Sequence, residues 1–314
     1  MPKLSQKLME ELFFNQKIED PSVVMGPRFG EDAAVIRLNE DYLVVHPDPI
    51  SGAVENIGWL SINVPANDIA VTGARPRWAT PAIQIPPNMS EKKLKYIVKE
   101  MVEAASDLGV TLIGGHTETV EGIDRPLITT TIMGITNKPV FTSSSIPGDL
   151  IIQIKEAGIE GSWILASDFR EKLLEMGVGS DALDEAKCWR EDISIVDTAL
   201  KVKKHVSSMH DPTEGGVLQG LYEMAKSSGN DFHIKEDLMV RPETSEICEK
   251  VELNPLRLIS SGCLMVTSEK EDIHENAKVI GRVEEGDGNL YYKGEKTEEY
   301  PNDELFKAIA KLKV

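Results

Sequence analysis

Apolar positions recur at helical spacing in two long stretches of the first half of the chain. In MSEKKLKYIVKEMVEAASDLG (89–109), Leu94, Ile97, Val98, Met101, Val102, Ala105 and Leu108 fall on one side. Ser90 stands where an N-cap belongs and Gly109 where a helix stops, so an amphipathic helix is predicted. In ENIGWLSINVPANDIAVTGA (55–74) the stripe is Trp59, Ile62, Ala66, Ile69 and Ala70. Pro65 lies inside it and is expected to kink the helix, because its ring removes one backbone donor. Gly73 offers a C-terminal stop. A shorter amphipathic helix is predicted over 3–14, with Leu4, Leu8, Leu12 and Phe13 together.

Elsewhere the period drops to two. AAVIRL (33–38) and YLVVH (42–46) read as strands joined across Asn39–Asp41, and PLITTTIMGI (126–135) is a β-rich run of Thr and Ile. VTLI (110–113) reads as a further strand leading into GGHTET (114–119). SSSIPGDL (143–150) interrupts the pattern with a Ser cluster and Pro-Gly-Asp. Beyond it the alternation restarts with the strand LIIQIK, the apolar run SWILAS and a long helix around 185–204. A helix opening at DPTEGG (211–216), the strand DFHIK, a short helix in RPETSEICEKV and a strand within RLISSGCLMVT follow. A β-pair near VIGRV and LYYKG and a closing helix over 302–312 end the chain. Strands and helices interleave on both sides of the interruption. That predicts an α/β (α+β) protein of two domains, 1–147 and 148–314, and 314 residues is long for one compact core.

Composition changes the picture in three ways. Aromatics make up only 5%, so the core must rest on Val, Ile, Leu, Ala and Met. The formal net charge is −18, a field that repels phosphate backbones and anionic membrane surfaces, so neither nucleic acid nor membrane is an expected partner. Cys188, Cys248 and Cys263 are odd in number and far apart, which argues against a disulfide framework or a zinc site. MPKLSQKLMEELFF has no apolar segment of a secretory signal, and no run approaches the ~20 residues of a membrane helix, so a cytoplasmic location is expected.

Five short stretches could carry chemistry. GEDAAV (30–35) puts Glu31 and Asp32 beside a glycine and just before a strand. HPDP (46–49) places Asp48 after a strand. ANDIA (66–70) inserts Asn67 and Asp68 into an apolar helix. GGHTET joins two glycines to His116, Thr117 and Glu118. HDPTEGG (210–216) sets Gly215 and Gly216 at a helix start, with Asp211 or Thr213 as possible caps. Each alone is as well explained by a solvated turn, a wet helix face or an ordinary N-cap. Together they repeat one arrangement, carboxylates beside glycines that let phosphate oxygens approach the backbone. Mg²⁺ is held in this way, through one or two carboxylates plus substrate phosphates. Two glycines in a first helical turn cost about 1 kcal/mol each against alanine, so they call for the close approach of a ligand or of the other domain. No G-x-x-x-x-G-K-[ST], no G-x-G-x-x-G between strand and helix and no G-x-S-x-G occurs.

The order of these pieces resembles the aminoimidazole ribonucleotide synthetase-like superfamily. GEDAA, an Asp after the second strand, NDIAVTGARPRW, GVTLIGGHTET, PLITTTIMG, PGDLI, DPTEGG and NPLRLISSGCLMV follow one another over about residues 25–285. The resemblance implies an N-terminal domain whose strands build a β-barrel across a homodimer, and a C-terminal domain in which helices cover a sheet. It implies ATP and Mg²⁺ as cofactors in a cleft beside the barrel. Carried over motif by motif, Asp32, Asp48 and Asp68 match the metal and phosphate positions, with Asn67 beside them. Gly114, Gly115 and Thr117 match the glycine loop, and Asp211, Gly215 and Gly216 the phosphate-facing turn of the second domain. On an enzymatic reading, His116 or Glu118 is the candidate proton shuttle. The look is closest to the hydrogenase expression/formation protein E branch, but the final residues AIAKLKV hold no cysteine, so chemistry on a self-carried C-terminal thiol is not expected. The implied function is ATP-dependent activation or phosphorylation of a small carbonyl- or phosphate-bearing substrate. The alternative is a non-catalytic ATP-binding maturation or regulatory subunit with a maturation partner protein.

Overall fold

In the computed structural model the described residues are Leu4, 6–51, 55–300 and 302–313. The first sheet opens with Val23–Met25 (β1), Ala34–Leu38 (β2) and Asp41–Ile50 (β3). The predicted hairpin is present, with Leu38 opposite Asp41 and Asn39 in the left-handed region. Its second strand runs further than expected and carries His46–Pro49 within it. Arg75–Ile85 (β4), Thr111–Leu112 (β5), His116–Thr119 (β6) and Leu127–Thr136 (β7) complete the sheet in the order β1-β2-β3-β7-β4-β5, with β6 also on β4. The predicted strand at 110–113 shrinks to two residues, and GGHTET, expected as a loop, ends in an exposed edge strand.

Along β7, buried and half-buried positions alternate without a break, the signature of a sheet covered on one face. The cover is a pair of helices, Ile57–Val71 (α2) and Glu91–Asp107 (α3), that follows the short N-terminal Gln6–Met9 (α1). Gly134 lets α2 lie flat on β7, since a Cβ there would stand 2.4 Å from Ile69 Cγ2. All fifteen residues of α2 are buried, so the single stripe read from its spacing is only part of its contact surface. The helix continues through Pro65. In α3, Ser90 caps as predicted and accepts from the Lys93 N–H, and Ile97, Met101, Ala104 and Ala105 are buried. Val98 and Val102, placed on that face by spacing, are exposed, because α3 meets α2 along a narrower strip. The helix expected over 3–14 is one α-helical turn followed by a π-helical turn, Glu10–Phe14, and leaves Leu8, Leu12 and Phe13 exposed. Lys3 and Ser5 lie outside the described residues.

The second sheet comprises Leu150–Ile154 (β8), Ser208–His210 (β9), Asp231–Ile234 (β10), Leu264–Ser268 (β11), Ala277–Glu284 (β12), Leu290–Tyr292 (β13) and Glu295–Thr297 (β14). Its order is β14-β13-β10-β12-β8-β11-β9. The β-pair expected from VIGRV and LYYKG does not form, because β10 inserts between β12 and β13 and bonds to both. Helices Ile159–Asp168 (α4), Arg170–Glu175 (α5), Ser180–Ala186 (α6), Val196–Val202 (α7), Gly216–Ser228 (α8), Pro242–Val251 (α9) and Glu304–Leu312 (α10) accompany it. The long helix expected near 185–204 is broken into α6, a 3₁₀ segment Trp189–Ile193 and α7. The break has a partner in the first half. The Asn67 amide donates to the Ile193 carbonyl and accepts from the Ile195 N–H, both at 2.9 Å. A continuous helix would have consumed those backbone groups internally.

Candidate functional site

Both halves contribute to one cavity of about 520 Å³. From the first come Asp32, just ahead of β2, Asp48 on β3 and Asp68 on α2. From the second come Glu160 on α4, His210 at the end of β9, Thr213 and Glu214 ahead of α8, and Glu223 on α8. Leu60, Val64, Ile164 and Ile259 supply apolar wall, and Leu4, Met9 and Phe14 of the N-terminal segment close one side.

The strands and helices fix the polar groups closely. Asp32 accepts from the Thr142 hydroxyl at 3.0 Å and meets His210 Nδ1 at 2.9 Å. Next to it, Glu31 accepts the Thr142 and Ser143 backbone N–H groups at 3.2 and 3.0 Å. Burial raises its carboxyl above the ordinary range against those bonds. Asp68, carried into the interior by the apolar α2, pairs with His46 Nε2 at 3.5 Å. Seen from sequence, Asp68 interrupts an apolar stretch; in three dimensions it is delivered to the cavity by that stretch.

Two carboxyl groups lack adequate partners. Asp211 is 1% exposed, and its polar neighbour, the Asn67 side chain, does not reach either oxygen with good hydrogen-bond geometry. Burial first and the Asp32 charge second hold it well above the usual carboxylate range. Glu160 is 3% exposed with Oε2 unpaired. Burial pushes it up to about 8, with Glu214, Asp211 and Asp48 adding repulsion. Buried carboxylates that repel one another and lack donors are costly. They fit a hard cation, whose preferred ligands are oxygens. Among the described residues no group of three or more His, Cys, Asp or Glu side chains forms a ready metal cage. A cation here would bring further ligands of its own, such as phosphate oxygens or water.

The turn over 211–216 differs from the sequence expectation. Neither Asp211 nor Thr213 caps α8; Gly215 occupies the N-cap in the left-handed region. Its N–H donates at 2.7 Å to Asp303, whose carboxyl burial pushes up to about 7. Gly216 is required by packing, as a Cβ there would meet the Leu256 carbonyl oxygen at 2.6 Å. GGHTET also lies elsewhere. Gly114, Gly115, His116, Thr117 and Glu118 are exposed on or beside β6 and do not line this cavity. His116 Nε2 approaches Glu118 Oε2 at 3.6 Å, and Gln84 donates to Glu118 at 3.2 Å. The cavity thus unites Asp32, Asp48 and Asp68. Asn67 and Asp211 are buried close by, the former as a clip between the halves and the latter facing Asp32 and Asp48 electrostatically.

Sequence reasoning passed over His210, Glu160, Glu223 and Asp303. His210 had one signal, its place immediately before DPTEGG. Glu160 had none, being a single acid in a helix whose neighbours are apolar.

A two-sheet α/β chain with a carboxylate-lined cavity between its halves describes a known class. Residues 30–136 match the AIR synthase related protein, N-terminal domain, and residues 147–293 match the corresponding C-terminal domain. The chain belongs to the AIR synthase-related family. It is 28% identical over 273 residues to the carbamoyl dehydratase HypE of Rhodobacter capsulatus, covering 84% of this chain and 77% of that protein. It is 27% identical over 291 residues to the thiamine-monophosphate kinase of Pyrococcus horikoshii, covering 87% of this chain and 88% of that one. In three dimensions it is similar to AaThiL complexed with AMPPCP and TMP, with a TM-score of 0.76, 21% identity and 93% coverage of each chain. No helix among the described residues is long and apolar enough to cross a membrane.

Proposed function

We propose that this protein binds Mg–ATP and uses it to activate or phosphorylate a small carbonyl- or phosphate-bearing substrate. The observation that carries the reading is the convergence of Asp32, Asp48 and Asp68 on one cavity beside the buried and poorly compensated Asp211 and Glu160. Family membership supports it. One similar protein is named for a carbamoyl group and another for thiamine monophosphate, and the similar solved structure holds AMPPCP, an ATP analogue.

In this reading Asp32, Asp48 and Asp68 hold Mg²⁺ together with nucleotide phosphates, and Asp211 faces the same charge. When bound, the cation neutralises the phosphate oxygens and polarises the transferred group. The chain's own contribution is positioning and exclusion of water by Leu60, Val64, Ile164 and Ile259. Gly114, Gly115 and Thr117, outside the cavity of one chain, would face the nucleotide in a homodimer built on the first sheet. His116 and Glu118, on the same exposed edge, would serve proton transfer there. A second reading, an ATP-binding maturation or regulatory subunit without turnover, is favoured by Asp303. It already occupies the Gly215 N–H at which a phosphate would dock.

Titration with a non-hydrolysable ATP analogue, with and without Mg²⁺, tests the site. Asp48→Asn and Asp68→Asn are each expected to lower Mg²⁺-dependent affinity by about tenfold or more. Affinities equal to wild type would overturn the assignment. Mg²⁺-dependent ATP hydrolysis in the presence of carbamoylated or phosphorylated metabolites separates the two readings: tight binding without turnover supports the second.

A further inference from the structure

The ring of His210 stands between two carboxylates from different halves of the chain. Nδ1 lies 2.9 Å from Asp32 Oδ1 and 3.1 Å from Oδ2, and Nε2 lies 3.1 Å from Glu223 Oε2. Residues 32 and 210 are 178 positions apart, so this contact exists only in the folded chain. Around it the structure is built to hold the ring. Glu223 receives a second hydrogen bond from Gln219 at 3.1 Å, and Gln219 in turn accepts the Tyr300 N–H at 2.9 Å. The Thr142 hydroxyl holds Asp32 Oδ2 from the other side. Gly220 on α8 makes room, since a Cβ there would come within 3.1 Å of His210 Cδ2 and 2.7 Å of Pro212 Cβ.

These contacts fix how Asp32 faces the cavity. A carboxylate offers about four lone-pair sites on its two oxygens. The aligned hydrogen bond from His210 and that from Thr142 both fall on Oδ2, with the ring also close to Oδ1, which leaves the Oδ1 lone pairs to meet a ligand. An Asp32 side chain without the ring would keep its charge and lose this orientation. Groups behind a metal ligand commonly set its geometry in this way.

We propose that His210 is a positioning residue of this site. Held between Asp32 and Glu223, it orients the Asp32 carboxylate toward the cation and ties that orientation to α8. The proposal rests on the Mg–ATP reading above, since it takes Asp32 as a cation ligand.

Two substitutions separate the contacts of the ring. An asparagine amide reaches roughly where Nδ1 stands, and a glutamine amide roughly where Nε2 stands. His210→Asn should therefore keep the bond to Asp32, and His210→Gln only that to Glu223. Binding of a non-hydrolysable ATP analogue is measured across Mg²⁺ concentrations for both, with thermal unfolding as the control for stability. The expected result is a loss of about tenfold in Mg²⁺-dependent affinity for His210→Gln and a much smaller loss for His210→Asn, at similar unfolding temperatures. Equal losses in the two variants, or no loss in His210→Gln, would overturn the proposal. Should neither variant fold, Glu223→Gln decides. It loosens the far side of the ring and is expected to weaken Mg²⁺ dependence measurably; an unchanged Mg²⁺ dependence would overturn the proposal. If the wild-type protein shows no Mg²⁺-dependent binding, the Mg–ATP reading fails and takes this inference with it. If only the His210 and Glu223 variants behave like wild type, this inference alone fails.

Discussion

Asp211, Glu160, Asp303 and His210 share one thermodynamic property: each binds its proton more tightly in the folded protein than in the unfolded chain. Glu160 and Asp303 are pushed by burial up to about 8 and about 7, and Asp211 is also raised well above its usual range. Burial works against His210, but Asp32 and Glu223 outweigh it and bring it up to about 10. For the acids, the unfolded chain releases a proton near pH ~4 that the folded protein keeps, so stability falls as pH rises from there toward ~8. For His210, the stabilisation is full below pH ~6.5 and is lost as pH rises through its folded value. All four point the same way. The metal-free protein should melt at a higher temperature at pH 6 than at pH 9, by roughly 5 °C or more. A midpoint that is flat or rises over that interval would refute the assignment. Asp211→Asn removes a buried carboxyl that folding must either protonate or leave as an uncompensated charge. It should raise stability at pH 8 without Mg²⁺ by about 1–2 kcal/mol, read by urea unfolding, while weakening Mg²⁺-dependent nucleotide binding.

Helix α2 shows at the scale of an element what the sequence pattern carries and what it omits. Its helical period was legible in Trp59, Ile62, Ala66, Ile69 and Ala70, since period follows from local spacing. Its burial on every side was not, because Ser61, Asn63 and Asn67 break the apolar pattern; the first two satisfy themselves on carbonyls of their own helix, and Asn67 finds its partners only across the fold. Ser61 and Asn63 donate to the Gly58 and Trp59 carbonyls, and Asn67 clips residues 193 and 195 across the molecule. Long-range pairing hid other features in the same way. The insertion of β10 between β12 and β13 depends on registers that no local spacing encodes. Asp32, Asp48 and Asp68 stood out as acids beside strands or inside an apolar helix, whereas His210 and Glu160 gain their place only by tertiary contact. Two substitutions test this account of α2. Asn67→Ala leaves the buried Ile195 N–H without its partner and should cost about 3 kcal/mol in urea unfolding. Gly134→Ala would drive a methyl group against Ile69 and the Arg75 carbonyl, 2.4 and 2.7 Å away, and should cost about 1–3 kcal/mol. Either variant unfolding like wild type would contradict the packing described.

At the scale of the whole molecule, the first sheet has one face under α2 and α3 and the other only half covered. Val45 on β3, Met133 on β7 and Trp78 on β4 lie side by side across three strands on that second face, and each is only half-buried. Leu43 and Ile135 form the next row. An apolar row left this way on a chain of net charge −18 is unusual unless something covers it, and a second copy of the same sheet would do so symmetrically. The same pairing would bring the exposed β6 edge, with Gly114, Gly115 and Thr117 beside it, toward the partner. Sedimentation equilibrium at micromolar concentration should therefore give a homodimer. Met133→Glu places a charge in the middle of the row, where a dimer would have to bury it. That variant should sediment as a monomer with little change in unfolding temperature, because Met133 is half-exposed in the single chain. It should also lose nucleotide affinity if the β6 loop reaches the nucleotide only in the dimer. A monomeric wild type would remove the basis for placing the glycine loop in the site. A monomeric Met133→Glu that binds nucleotide as tightly as wild type would confine the site to the cavity of a single chain.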